Sequence, residues 1–248
     1  MRWFRTWRRA CQVAAVFIAA ASVAACLASC QAETGDPGRR ETPPSSVPDT
    51  SSSATATPTP VTTAAVTTAA PAESHPALSP EAQAELDQRL IRAAKANDAA
   101  MVAELVRAGG NVNAKDAIQD SAFLYAGAEG FNEVLQLTLA AGANVRSTNR
   151  FGGTALIPAS EHGHVDTVRI LIAAGVPVNH VNNLGWTAMQ EAILLNNGGP
   201  RQQEVVRQLL DAGADPGIRD LQGRTALENA ERLGFAEIAA LIRSVTQK

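Results

Sequence analysis

The one cluster of histidines in this 248-residue chain is the motif His162-Gly163-His164, with Asp166 two residues further on. Imidazole and carboxylate groups are zinc ligands, so these side chains could form half of a metal site, or three of its four ligands if Asp166 joins them. The sequence offers no cysteine and no fourth ligand near them. We therefore predict that the chain holds no metal and needs no cofactor.

Catalytic chemistry has little support in the sequence. Ser, His and Asp residues are scattered, and the short helical segments contain no nucleophile elbow and no oxyanion turn. The glycines recur at a fixed interval, which is not the pattern of a phosphate-binding loop. We predict that the chain is not an enzyme, has no catalytic residue and takes no small-molecule substrate.

The first 30 residues contain all three cysteines and four arginines, and no charge follows from residue 10 to residue 31. A basic start followed by an apolar segment is typical of a signal peptide. The segment ends in Leu27-Ala28-Ser29-Cys30, which resembles the lipobox of bacterial lipoproteins, and Val23-Ala24-Ala25-Cys26 matches nearly as well. The sequence thus predicts lipidation at Cys30, with Cys26 as the alternative, and an exported protein anchored to the membrane of the bacterial cell envelope.

Other forms of export stay open at this point. The protein could be secreted without an anchor, or the apolar run could remain as a membrane-spanning helix, since it approaches the ~20 residues that span a bilayer. Arg8-Arg9 could also direct twin-arginine export.

Residues 31–78 consist mainly of Thr, Ser, Pro and Ala, with hardly any large apolar side chain. Such a segment cannot bury enough surface to offset its ordering entropy, so we predict a disordered linker whose ends lie about 35–40 Å apart.

The leader contributes four of the 21 basic residues and none of the 24 acidic ones, which leaves a formal charge of −7 on the rest. This charge, and the lack of a basic stripe, argue against nucleic acid as a partner.

Two short sequence motifs, called phrases below, recur between residues 86 and 248. The first starts at Ser121, Thr154, Thr187 and Thr225, and the second has its glycine at Gly109, Gly142, Gly175 and Gly213. Both phrases have spacings of 33, 33 and 38 residues, so one five-residue insertion explains both departures. A period of this length indicates a solenoid of stacked repeats.

Each repeat is predicted to contain two short helices separated by a glycine turn. Helices of two or three turns are unstable alone, so they must pack against their neighbours. Ser79 and Pro80 predict the start of a longer helix that ends near Lys95 and caps the array. We expect Pro158 to bend its helix without preventing it from forming. We expect the insertion at 196–203 to lengthen the turn between the two helices of the fourth unit.

These phrases resemble the ankyrin repeat family. The best unit runs Gly152-Gly153-Thr154-Ala155-Leu156, then Gly163 to Ile172, then Gly175 and Val178-Asn179. The resemblance implies an all-α ankyrin solenoid over residues 79–248, after a signal peptide at 1–30 and a linker at 31–78. Its units are predicted at 86–118, 119–151, 152–184, 185–222 and 223–248.

Two family positions differ in this chain. Alanine stands where the family has proline, and the family's histidine is replaced at Leu124, Ile157, Gln190 and Glu228. We therefore expect weaker side-chain bonding in the loops.

The resemblance also implies binding of another protein, of unknown identity, through loop tips and the concave face of the inner helices. Carried over by position, the candidate residues are Arg150, Phe151, Leu184, Trp186 and Arg224 at the tips, and Glu129, Glu161, His162, Leu194, Leu195 and Arg232 on the concave face. We expect replacement of Trp186 and Phe151 by Ala to leave the melting temperature nearly unchanged. The sequence favours a membrane-tethered extracytoplasmic binding module. An inhibitory, immunity or chaperone-like subunit dedicated to one envelope or secreted enzyme is the alternative.

Overall fold

The computed structural model describes residues 78–246. This part of the chain contains ten α-helices and no β-strand. In chain order they are α1 Pro80–Lys95, α2 Ala99–Arg107, α3 Ala122–Glu129, α4 Asn132–Ala140, α5 Leu156–Glu161, α6 Val165–Ala173, α7 Ala188–Leu194, α8 Pro200–Asp211, α9 Ala226–Arg232 and α10 Ala236–Thr246. None of these ten helices is both long and apolar enough to cross a membrane. The predictions for residues 1–77, including both lipidation sites, lie outside the described residues.

The ten helices form five successive pairs. We call the first member of each pair (α1, α3, α5, α7, α9) the inner helix and the second (α2, α4, α6, α8, α10) the outer helix. Each inner helix packs against the next inner helix, each outer helix against the next outer helix, and the two members of a pair against each other. Contacts therefore run mainly between neighbouring pairs, as in a solenoid, and the predicted all-α repeat fold is confirmed.

The glycine turns are in register along the stack. Two residues after the end of each of the first four outer helices stands a glycine with φ between 81° and 91°, namely Gly109, Gly142, Gly175 and Gly213. Glycine adopts this left-handed conformation at least cost, which explains its recurrence there. One apolar core runs through the stack, and its largest fully buried side chains include Leu90, Phe123, Leu135, Leu156, Leu171, Ile193, Leu209 and Ile238.

The first helix begins and ends as predicted. Ser79 is its N-cap, whose side chain accepts a hydrogen bond from the Ala82 N–H at 3.2 Å, and Pro80 occupies the first helical position. The helix ends at Lys95, and its length of 16 residues exceeds that of the other inner helices.

The insertion at 196–203 lies only partly in a turn. Residues 195–199 form the turn between α7 and α8, whereas Pro200 begins α8, which has 12 residues where α4 and α6 have nine. The turns in the other pairs have two or three residues, so the insertion lengthens this turn as we predicted, and its second half also lengthens α8. Gly199 as N-cap and Pro200 at the first helical position start the helix early, because proline is preorganised for that position.

Pro158 changes how α5 begins. In α3, α7 and α9, the residue four positions after the Ser or Thr donates its N–H to that residue's carbonyl at 3.0–3.1 Å. Pro158 has no N–H, and the Thr154 carbonyl accepts from the Ile157 N–H at 3.2 Å instead. The Thr154 hydroxyl is left buried without a hydrogen-bond partner in the described structure. The helix still forms, as we expected, and the distortion is the loss of the side-chain cap that Thr154 would otherwise provide.

Candidate partner-binding surface of loop tips and inner helices

Four loops between the pairs share one anchor, an Asp or Asn whose Oδ1 accepts two backbone N–H groups. The donors lie two and four residues after the anchor, at 2.8–3.0 Å. The anchors are Asp116, Asn149, Asn182 and Asp220. Because each tip loop is closed by its own side chain, its shape does not depend on a partner.

Side chains also cap the inner helices and link them to neighbouring loops. Thr187 and Thr225 form reciprocal capping boxes with Gln190 and Glu228, at the positions where the resembling family has histidine. Gln190 in addition donates its Nε2 to the Ile218 carbonyl of the next loop at 2.9 Å. Our expectation of weaker side-chain bonding is thus wrong at Gln190, because an amide both accepts and donates.

Asparagine side chains bridge successive glycine turns. Asn113 donates to the Gly142 carbonyl at 3.1 Å and accepts from the Asn144 N–H at 2.7 Å. Asn179 makes the same two contacts with Gly213 and Asp215, at 3.5 and 2.8 Å. Each of these two bridges fixes one glycine turn relative to the next.

An apolar side chain occupies each of the four tips. Ile118 is 49% exposed and Leu221 is 74% exposed, while Phe151 and Leu184 are half-buried. We call these four residues the tip ridge. Large apolar side chains this exposed on anchored loops are candidates for contact with another protein.

The predicted tip arginines are engaged within the stack. Arg150 lies 3.5 Å from the Asp120 carboxylate, and its guanidinium stands 4.6 Å from the centroid of the Phe151 ring. Arg224 donates its Nε to the Asn229 Oδ1 at 2.9 Å. These contacts hold the tips in place, which makes both arginines supports of the surface as well as candidates for binding.

The indole of Trp186 is half-buried rather than fully displayed. Its Nε1 is buried and has no hydrogen-bond partner among the described residues, while its backbone N–H donates to the Asn182 Oδ1 at 3.0 Å. Even a half-buried aromatic ring of this size contributes packing energy, so Trp186 has a structural role besides any role in binding.

On the inner face, His162 is bonded within the stack. One of its ring nitrogens, Nδ1, lies 2.8 Å from the Ala128 carbonyl of the preceding inner helix, and its ring meets that of His164 edge-on at 5.4 Å. The residues from 78 to 246 contain no group of three side chains placed to hold a metal ion. Glu129 is half-buried, and Arg232 is exposed with its Nη2 3.3 Å from the Asn229 Oδ1.

Glu161 and Glu191 are two acids on neighbouring inner helices. Burial raises the pKa of Glu161, and the nearby His162 opposes that effect. Glu191 is only 6% exposed and accepts a hydrogen bond from the Asn182 Nδ2 at 2.7 Å. Burial, and next the negative charge of Glu161, raise the pKa of Glu191 to about 8, against the opposing effect of the Asn182 bond.

Glu191 was not among the residues predicted from the sequence. An acid in the first turn of a helix commonly lies in solvent, where it complements the helix dipole, and the sequence alone does not show that neighbouring pairs cover it. One signal was available: Glu191 follows the loop anchor Asn182 by nine residues, the spacing at which Asn229 follows the anchor Asp220.

Stacked helix pairs with anchored loops define a repeat solenoid in the described part of the chain. The family model of ankyrin repeats, in three copies, matches residues 90–176 and again 123–220, together more than half of the chain. The chain therefore belongs to the ankyrin repeat family. Ankyrin repeats indicate a protein–protein interaction module, and family members are generally binding modules without enzymatic activity.

Relatives with the same repeats are found among bacterial proteins. The chain is 52% identical over 52 residues to YahD of Escherichia coli (strain K12), named as an ankyrin repeat protein, and the match spans 21% of the chain and 26% of YahD. A solved ankyrin repeat domain from Acinetobacter baumannii AYE is 55% identical, with 62% of this chain and 79% of that one covered and a TM-score of 0.62. The ankyrin repeat protein EF0377 is 38% identical, with coverage of 62% and 78% and a TM-score of 0.60.

Proposed function

We propose that this chain is a membrane-tethered module of the bacterial cell envelope that binds a partner protein through its loop tips and inner face. The observation that carries the binding part is the tip ridge, an apolar side chain at each of four successive anchored loops. Preorganised loops lose little conformational entropy on binding, which lowers one of the costs of association.

The arginines at the tips support this surface from within. Arg150 lies against both Asp120 and Phe151, which fixes the ring of Phe151. We therefore expect the apolar members of the ridge to contribute more to affinity than the arginines. Apolar and aromatic anchors surrounded by polar side chains are typical of binding hot spots.

The binding part is tested by capture of the partner from intact, crosslinked cells. The bait is the full chain, and the variant carries Ile118→Ser and Leu221→Ser, two changes at exposed tips that leave the core intact. Gln136→Ser, on the exposed side of α4, is the matched control. We expect at least a tenfold loss of capture for the tip variant only (about 1.4 kcal/mol). Equal capture by all three proteins would contradict the proposal.

The tethering part rests on the leader sequence, in which Cys30 follows Leu-Ala-Ser at the end of the apolar run. Metabolic labelling with an alkyne-tagged fatty acid tests it. Cys30→Ala should abolish labelling, whereas Cys26→Ala should leave it unchanged. The opposite result would assign the lipid to Cys26, and no labelling of the wild-type chain would contradict a lipid anchor.

A further inference from the structure

A side-chain bond joins the loop that carries Leu184 and Trp186 to helix α7, and the Asn183 N–H also donates to the Phe151 carbonyl of the preceding loop at 3.0 Å. Asn182 accepts the N–H groups of Leu184 and Trp186 at 2.9 and 3.0 Å through its Oδ1. Its Nδ2 points the other way and donates to the Glu191 Oε1 in α7 at 2.7 Å. The two ends of the Asn182 amide thus join the Glu191 carboxyl to the backbone of the loop.

The next repeat contains the same link with the chemical roles reversed. There the anchor Asp220 is the acid, and the neutral amide of Asn229 donates its Nδ2 to the Asp220 Oδ2 at 2.9 Å. Arg224 lies 3.6 Å from the same oxygen. Burial acts to raise the pKa of Asp220, but the Asn229 bond and the Arg224 N–H and charge together hold it below its ordinary value. This loop keeps one charge state throughout the neutral and alkaline range.

At Asp220 the charge of Arg224 opposes the effect of burial on the pKa, whereas at Glu191 the neighbouring charge adds to that effect. Helix α7, which carries Glu191, packs against α5, α8 and α9. The charged side chains on these three helices are Glu161 in α5, Arg201, Glu204, Arg207 and Asp211 in α8, and Glu228, Glu231 and Arg232 in α9. His162 directly follows α5. Glu204 pairs with Arg207, Glu228 with Arg219 and Glu231 with Arg243. The group that acts on the Glu191 carboxyl is Glu161, which has the same sign of charge.

We propose that Glu191 is a proton-operated latch on the loop 182–186: its neutral carboxyl holds Asn182 from inside the stack, and its ionised form leaves that position and loosens the loop. A buried carboxylate facing another acid carries a large desolvation cost, which outweighs the Asn182 bond that favours the ionised form. Movement of the carboxylate into solvent relieves this cost. The consequence for partner binding rests on the proposed function, whereas the latch itself is a property of the free protein.

Trp186 reports on the latch directly, because its backbone N–H donates to the Asn182 Oδ1 and its indole lies in the same loop. The full chain with Trp3→Phe and Trp7→Phe keeps Trp186 as its sole tryptophan. Indole emission from about pH 6 to about pH 9.5 should show a one-proton transition with a midpoint near 8. Glu191→Gln should abolish the transition, because glutamine accepts the same bond from Asn182 and does not titrate. Glu161→Gln should move the midpoint to lower pH, since it removes the neighbouring negative charge.

Glu129→Gln, an inner-face acid on α3, is the matched control and should leave the transition in place. The latch proposal is contradicted if the indole emission of the chain with Trp186 as sole tryptophan does not change with pH. It is also contradicted if adding Glu191→Gln leaves the transition unchanged. Loss of helical circular dichroism with the same midpoint would also overturn it, because the stack would then be unfolding. If the emission transition is present but capture of the partner is equal at pH 6.5 and 8.5, the latch stands and binding through this loop is excluded.

Discussion

A β-carbon added to Gly127 in α3 would lie 2.8 Å from the Cβ of Ala155, the residue that precedes α5 in the next repeat. That distance is shorter than real Cβ contacts, so the two inner helices approach as closely as they do because residue 127 has no side chain. Neighbouring repeats are thus fitted to each other at a particular pair of small residues.

Gly127→Ala should therefore destabilise the stack, although alanine is the better helix former. We expect a loss of about 1–2 kcal/mol in the free energy of unfolding, the net of an overpacking cost and a gain in helix propensity. Urea denaturation followed by circular dichroism measures it. Adding Ala155→Gly should recover part of the loss, and a stabilised single variant would show that the helices can separate freely.

The lost cap at Thr154 gives a second prediction. Thr187→Val should cost about 1 kcal/mol, because the Thr187 hydroxyl accepts the Gln190 N–H at 3.3 Å. Thr154→Val should cost close to nothing, since the Thr154 hydroxyl is buried without a partner in the described structure. Equal losses of unfolding free energy for the two variants would contradict our account of Pro158.

The repeats themselves were readable from the sequence because their signals are local. A left-handed glycine such as Gly142 or Gly175, or an N-cap such as Thr187, acts within one turn of the chain. The insertion was located correctly, but Pro200 has two local roles, ending a turn or starting a helix, and only the packed α8 decides between them.

The buried acid could not be predicted because its environment is assembled from several repeats. Glu191 is covered by its neighbours, and its partner Asn182 belongs to the loop before α7. The burial of Trp186 could not be predicted for the same reason: the sequence indicated a loop-tip residue, and the side chain is half-buried. Burial between stacked units is a tertiary property, and the periodic pattern of one unit does not contain it.

Glu191 should make the stability of the protein depend on pH in one window. Below about pH 4.5, the ordinary value for glutamate, the carboxyl is protonated in both the folded and the unfolded chain. From there to about pH 8 the folded chain keeps a proton that the unfolded chain has lost, so this group lowers the unfolding free energy as pH rises. The slope is on the order of 1 kcal/mol per pH unit.

Glu191→Gln removes the pH-dependent contribution of the Glu191 carboxyl to the unfolding free energy. The variant should therefore gain stability relative to the wild type as pH increases from 5 to 8, measured by urea denaturation at several pH values. Glu129→Gln should show a constant difference from the wild type. A constant difference for Glu191→Gln as well would show that Glu191 has no raised pKa.

The half-burial of Trp186 changes what we expect from its removal. Trp186→Ala should lower the unfolding free energy by about 2 kcal/mol, because it empties part of the packed loop. Trp186→Phe should be close to neutral, since it keeps most of the packing and removes an N–H that has no partner among the described residues. Differential scanning calorimetry distinguishes these outcomes from the unchanged melting temperature expected from the sequence.

The central claim is that the stack presents its tip edge to a partner protein, and site-specific photo-crosslinking in intact cells tests it most directly. A photoreactive residue is placed at Leu221, which is 74% exposed at a tip, or at Gln136 on the exposed side of α4. Our account predicts one discrete crosslinked product from position 221 and none from position 136. Crosslinking from position 136 alone, or equally from both, would contradict it.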